Sequence, residues 1–222
     1  MKKIILITAC VFAYCLSIAA QRKVETFEHN AFNWEEVIEK NKSAFIQNDY
    51  LKLYTKKENM VSTITRFPVD VHYNFKITAT IIVPHLNDNM SFGFIYDWLS
   101  DANFSTILFE TDKYTLYNNM GIVTKGNGKL QKAFGLKKYR LTNDTKIVNH
   151  STIKLPKGKN RTVTLVMEKY GNKLFFRVNN VLVCETKQDL HSSYCGFLLV
   201  STKQKQQVKI MDVVIEQILE DE

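Results

Sequence analysis

Residues 162–186 read TVTLVMEKYGNKLFFRVNNVLVCET, and the fold follows from the spacing of their apolar side chains. Val163, Leu165 and Met167 alternate with Thr162, Thr164 and Glu168. A polar YGNK follows, then Leu174, Phe176 and Val178 alternate with Phe175 and Arg177. Asn179 and Asn180 then interrupt the pattern before Val181 resumes it. Side chains two apart lie on one face of a strand, so this spacing predicts three strands with one buried face each. Asparagine and glycine tolerate the positive φ of tight hairpin turns, so YGNK and VNNV predict the two turns.

The pattern continues outward in both directions. In NFKITATIIVP, Phe75, Ile77, Ala79, Ile81 and Val83 share one face, and Lys76, Thr78 and Thr80 take the other. CGFLLVST is apolar on both faces, as in a covered strand. QVKIMDVVIEQ places Val208, Ile210 and Val213 inward, and the acidic EDE beyond it reads as a frayed tail. Upstream, SAFIQNDYLKLYT predicts a hairpin turning at QND, and MVSTITRF another strand. WEEVIEKNKSAFI has the composition of a short helix. About a dozen short strands separated by turn residues point to an all-β sandwich or barrel. A doubly wound fold would need helical segments between the strands, and they are missing.

FGFIYDWLSDANFSTILF, residues 92–109, reads as one more hairpin. Phe92, Phe94, Tyr96 and Trp98 are expected on one face, and Gly93, Ile95 and Asp97 on the other. LSDAN supplies the turn, with Asp101 bonding to nearby backbone.

The N-terminus carries its own signal. MKKIILITACVFAYCLSIAAQ has two lysines, an apolar run from Ile4 to Ile18, and Ala19-Ala20 at its exit. This is the pattern of a secretory signal peptide over residues 1–20, too short for a comfortable membrane span, and no later segment could span one. Acylation at Cys10, within ITAC, is the alternative. Residues 21–222 then form a single domain, secreted or periplasmic, with outer-membrane association as a variant of the same route. The signal would take Lys2 and Lys3 with it, lowering the formal charge from +8 to +6. The remaining basic residues are scattered, as on a solvated lysine-rich surface and unlike a nucleic-acid-binding face. An acidic polysaccharide or membrane surface would still be attracted. Cys10 and Cys15 leave with the signal, so Cys184 and Cys195 remain. In an oxidising compartment they form either a disulfide or two small buried hydrophobes.

Several motifs together resemble one superfamily. Asn33-Trp34 precedes DYLKL (residues 49–53), NFKITATI and GFIYDWLSDANFSTILFE; later come VTLVMEKYGNKLFFRVNNVLV, CGFLLV and VKIMDVVI. The most specific are Gly93-x-x-Tyr96 with Asp101-x-Asn103-Phe104, and the hairpin Tyr170-Gly171-Asn172-Lys173. From Val24 to Gln217 the chain resembles the concanavalin A-like lectin/glucanase jelly rolls. It is most similar to the stand-alone domains secreted by Bacteroidetes and to 3-keto-disaccharide hydrolase domains. The resemblance implies a jelly-roll sandwich of two curved antiparallel sheets, and in many relatives the concave face binds carbohydrate. It does not imply catalysis, since the fold hosts enzymes, lectins and inert modules.

The residues argue against the usual catalyst. Glucanases of this fold place acids alternately, Glu-x-Asp-x-Glu, so that all three face one cleft. The chain has no such motif; Glu110 and Asp112 are two apart but lack a third acid, and are the fallback pair for a hidden hydrolase. The five histidines show no HxH or HExxH spacing, and there is no GxSxG elbow. His191 is close to Cys195 in sequence but nothing positions it as a base. Asn87, Asp88 and Asn89 in HLNDNMS offer oxygens, yet with one carboxylate a plain turn explains them better than calcium. No metal site and no cofactor are expected. Sugar binding relies on exposed aromatic faces flanked by amides and carboxylates. Tyr96, Asp97 and Trp98, with Tyr114 and Tyr117, are the candidates, against the ordinary alternative that these aromatics pack between sheets. The partner expected is a carbohydrate or an envelope protein.

Overall fold

Alternating side chains become paired strands wherever the computed structural model describes the chain, which is at residues 22–57, 61–84, 90–100, 103–111, 115–117, 145–147, 153–154, 160–201 and 203–218. The first strands are β1 (Arg22–Glu25), β2 (Val37–Ile38), β3 (Lys42–Ile46), β4 (Leu51–Thr55), β5 (Val61–Pro68) and β6 (Asn74–Pro84). β7 (Met90–Ser100), β8 (Asn103–Thr111), β9 (Thr115–Tyr117), β10 (Thr145–Ile147) and β11 (Ile153–Lys154) follow. The chain ends with β12 (Asn160–Tyr170), β13 (Lys173–Val178), β14 (Val181–Lys187), β15 (Tyr194–Val200) and β16 (Gln206–Ile218). Among the described residues there is no helix, and so none long and apolar enough to cross a membrane. The predicted signal segment lies outside the described residues.

Two antiparallel sheets result. One runs β10-β14-β13-β12-β6-β16-β4-β3-β2, with β1 pairing β16 as its tenth strand; the other runs β11-β9-β8-β7-β15-β5. This is the all-β jelly-roll sandwich expected from the sequence. The two Asn/Gly turns form as predicted: Gly171 has φ 57°, and Asn179 and Asn180 have φ 46° and 68°. Asn179 also closes its turn through its side chain, accepting the Thr164 amide at 2.9 Å. QND turns as expected, with Asn48 and Asp49 at positive φ between Gln47 and Tyr50, whose backbones bond each other. The short helix over WEEVIEKNKSAFI does not form. Val37 and Ile38 pair with Ala44 and Ser43 instead, and Glu36 accepts the Ile46 amide at 2.9 Å. Two β-branched residues and about one turn's worth of helix-forming sequence cannot nucleate a helix against an available strand partner.

The core lies between the sheets. Phe92, Phe94, Phe176, Phe197 and Trp34 are buried there, with Phe94 and Phe197 ring centroids 5.3 Å apart. The opposite face of the six-stranded sheet carries a second apolar cluster, Ile95, Phe104, Leu108, Leu198 and Val200. That is why CGFLLVST is apolar on both sides. Gly93 sits in β7 directly between Leu108 and Leu198, and a Cβ there would lie 1.9 Å from the Ile107 carbonyl oxygen.

Cys184 and Cys195 are separate thiols, so the disulfide left open by the sequence is not formed here. Both are core side chains, on β14 and β15, and both adjoin Tyr96 closely enough to raise its pKa. Burial pushes the Cys184 thiol up to about 12, with Glu185 adding to it, and raises Cys195 too, with Asp97 adding.

Candidate rim site of the six-stranded sheet

The site arises from a break in one strand. Up to Tyr96, β7 pairs evenly with β8; the register then jumps from Tyr96↔Ser105 to Ser100↔Asn103. Asp97, Trp98 and Leu99 therefore stand opposite Phe104 alone, a bulge that bends the strand and re-aims its side chains. Asp97 makes the bend, with φ 50°. Asp and Asn reach this left-handed region at little cost compared with other side chains. The consequence is that Trp98 leaves the face it would share with Tyr96. It packs instead against the outer cluster of Ile95, Phe104, Leu108, Leu198 and Val200.

A loop from the other side of the sheet locks this geometry. Asp97 Oδ1 accepts the amides of His191 at 2.6 Å and Ser192 at 2.8 Å. Gln188 Nε2 donates to Asp97 Oδ2 at 3.3 Å and to Ser105 Oγ at 2.9 Å. Ser192 Oγ donates to the Trp98 carbonyl and accepts the Tyr194 amide at 3.2 Å. The Gln188 amide is anchored on the Asn172 carbonyl at 2.8 Å, and Val69 donates to the Ser193 carbonyl at 2.8 Å. This bracing brings Tyr194, first residue of β15, against Trp98. Their ring centroids are 6.2 Å apart and their planes 84° apart, an edge-to-face pair. Tyr194 is 43% exposed, Leu99 beside it 48%, and Trp98 is partly buried. Asp189, His191 and Ser193 present exposed polar groups along the loop.

The residues picked out from the sequence divide. Trp98 is on the rim. Tyr96 is not: it is fully buried, its ring packs on Phe176 at 5.5 Å, and among the described residues its hydroxyl has no hydrogen-bond partner. Burial raises its pKa strongly, with Cys184, Asp97 and Cys195 adding. Asp97 is not a ligand group either, because it is buried and its carboxylate is occupied by the loop. Both are corrections with one cause: inward alternation holds through Tyr96, and the bulge begins at the next residue. Tyr114 and Asp112 lie outside the described residues, as does the HLNDN stretch considered for calcium. Glu110 and Tyr117 are cross-strand neighbours on β8 and β9. Tyr194 was missed by the sequence reading; its exposure follows from QDLHSSY ending where β15 starts, and a tyrosine closing a polar run was the available signal.

The outer positions of β8 bear on catalysis. Phe104, Thr106 and Leu108 share the outward face, and Thr106 Oγ1 spends its proton on the Phe94 carbonyl at 2.6 Å. Two of these three outward side chains are hydrocarbon. Among the described residues no group of three His, Cys, Asp or Glu side chains could hold a metal ion.

Comparison with solved structures defines the class. The chain overlays a galectin-like protein of unknown function from Bacillus subtilis with TM-score 0.56 and 11% identity, over 91% of this chain and 98% of that one. It overlays the exoplasmic/lumenal domain of VIP36, solved with Ca2+ and Man3GlcNAc, with TM-score 0.53 and 11% identity, over 91% and 92%. It also overlays the catalytic domain of an endo-1,3-beta-glucanase (laminarinase) from Thermotoga petrophila with TM-score 0.54 and 12% identity, over 90% and 99%. The fold is therefore a concanavalin A-like jelly roll, a scaffold shared by lectin and glucanase domains. No protein-family model matches the chain, and no curated protein matches it in sequence.

Proposed function

We propose that this chain is a secreted, non-catalytic binding module that recognises a glycan at the cell envelope. One observation carries the proposal. The Trp98–Tyr194 pair stands partly exposed at a braced rim, beside the polar loop of Asp189, His191 and Ser193. Aromatic faces desolvate the C–H faces of sugars, and polar neighbours orient the hydroxyls. The glycan binding and glycan hydrolysis of other domains with this fold support a glycan ligand without deciding which. The predicted signal peptide supports export, to the periplasm or the cell exterior, with outer-membrane association if Cys10 is acylated. The likeness to the stand-alone domains secreted by Bacteroidetes, and to 3-keto-disaccharide hydrolase domains, belongs to this same proposal. An envelope protein is the alternative partner, and a hydrolase using Glu110 with Asp112 the alternative activity.

The test reads binding and cleavage together. The purified protein is applied to a glycan array and incubated with a polysaccharide panel, and both retention and released sugar are recorded. The expected result is retention without release, weakened at least about tenfold by Tyr194→Ala or Trp98→Phe, which is about 1.4 kcal/mol. Released sugar that disappears on Glu110→Gln would establish the hydrolase instead. No retention, with an envelope protein co-purifying, would establish the protein partner.

A further inference from the structure

The angle between the two rim aromatics constrains what can dock there. Successive residues of a flat, ribbon-like polysaccharide present faces that are close to parallel, and stacking them requires aromatic rings with parallel planes. Trp98 and Tyr194 are 84° apart with centroids separated by 6.2 Å. Two such rings form a corner. One sugar ring fits it, with its C–H face on one aromatic and its edge on the other, and among the described residues this corner leaves a second consecutive residue no aromatic face to cover.

The surroundings impose the same limit independently. From Trp98 the outer face of the six-stranded sheet continues as Ile95, Phe104, Leu108, Leu198 and Val200, all hydrocarbon and all at most 7% exposed. Thr106 among them has committed its hydroxyl to the backbone. These positions are covered, so among the described residues they present no open groove along which successive sugars could lie. The exposed polar residues Asp189, His191 and Ser193 belong instead to the loop that ends at Tyr194. The backbone under the corner is also braced before any ligand arrives, because Asp97 holds the loop and Ser192 Oγ ties the Trp98 carbonyl to the Tyr194 amide. Rigid aromatic contacts lose little freedom on binding, so a small ligand can be held.

We propose that the Trp98–Tyr194 corner takes a single terminal sugar residue, a chain end or branch tip, and not the interior of a linear chain. This rests on the glycan function proposed above. It makes the protein an end-reading module, whose affinity is set by the identity of the last sugar.

The experiment is a length series. Oligosaccharides of two to six residues, of each linkage retained on the glycan array, are titrated calorimetrically into the purified protein. The expected result is a Kd that changes by less than about threefold across the series, under 1 kcal/mol. Replacing the terminal residue by a different sugar should abolish binding, and Tyr194→Ala and Trp98→Phe should each weaken the dimer and the hexamer equally. A Kd that tightens tenfold or more from dimer to hexamer overturns end recognition and leaves the glycan function standing. So does undiminished binding when the terminal residue is replaced by a different sugar. Failure of every array glycan to bind overturns both.

Discussion

Replacing Asp97 separates its two jobs. Its backbone occupies the left-handed region at φ 50°, and its Oδ1 satisfies the amides of His191 and Ser192. In Asp97→Ala both amides lose their acceptor. A buried donor left unpaired costs about 1–3 kcal/mol. Ser192 is buried and takes about 2 of these, and the exposed His191 about 1. Alanine also pays about 1 kcal/mol for the left-handed backbone that aspartate tolerates. The total is about 4 kcal/mol, a large part of the 5–15 typical of a folded domain. Asp97→Gly recovers the backbone strain and should cost about 3 kcal/mol. Asp97→Asn keeps an oxygen where Oδ1 stands and tolerates the same φ but sets an NH2 where Oδ2 accepted from Gln188, so it should lose the charge assistance and that bond, about 2 kcal/mol. The order Asn, Gly, Ala is read by urea unfolding followed by circular dichroism, with the slope m held equal across the series. Asp97→Ala within about 0.5 kcal/mol of the unsubstituted protein would refute the brace, since such a small effect belongs to surface positions. Asn as costly as Ala would refute the assignment of both amides to one oxygen.

Other substitutions test the rest of the fold. Tyr96→Phe removes a buried hydroxyl without a partner, so stability should stay level or rise by up to about 1 kcal/mol, and glycan binding should not change; a clear loss in the urea midpoint would mean the hydroxyl is bonded. Gly93→Ala drives a methyl onto the Ile107 carbonyl oxygen and must part β7 from β8, costing at least about 3 kcal/mol; a soluble variant with an unchanged thermal midpoint would disprove the β7–β8 register. Cys184 has an ordinary thiol pKa of 9.0 when unfolded and about 12 when folded. A pKa raised by folding gives stability that is complete below about pH 9 and lost as pH climbs toward 12, with Cys195 and Tyr96 acting in the same direction. A urea midpoint constant from pH 7 to 11 would contradict this, as would native-state alkylation of either thiol at pH 8.

Much of the fold was legible because sheet burial has a period of two and turns have a residue chemistry. Val163, Leu165, Met167, Leu174, Phe176 and Val178 are all buried at a spacing of two within their strands, and Gly171, Asn179 and Asn180 take the positive φ that the turns need. The helix expected after Trp34 failed because composition favoured it while length and the β3 partner did not. The rim was only half legible. Alternation put Trp98 with Tyr96, and it was right as far as Tyr96. No local pattern marks Asp97 as a left-handed residue inside a strand, because YDW reads equally well as continued strand. What selects the bulge is the loop at 188–193, whose amides need an acceptor, and that loop is 94 positions away at His191. A tertiary partner of this kind is invisible to a window of neighbouring residues.

The same bulge bears on whether the scaffold is an enzyme. A glycosidase needs two carboxylates with free oxygens across one cleft. Asp97 is the acid closest to the rim aromatics in sequence, and it cannot serve. Oδ1 holds two amides and Oδ2 faces the Gln188 amide, so protonating it to act as an acid would cost the brace that positions Trp98 and Tyr194. Binding geometry and acid–base chemistry would thus compete for one side chain, and in this structure the geometry has it. The fallback pair for catalysis is Glu110, one position beyond Phe109 on β8, with Asp112, which lies outside the described residues. An end-reading corner needs neither.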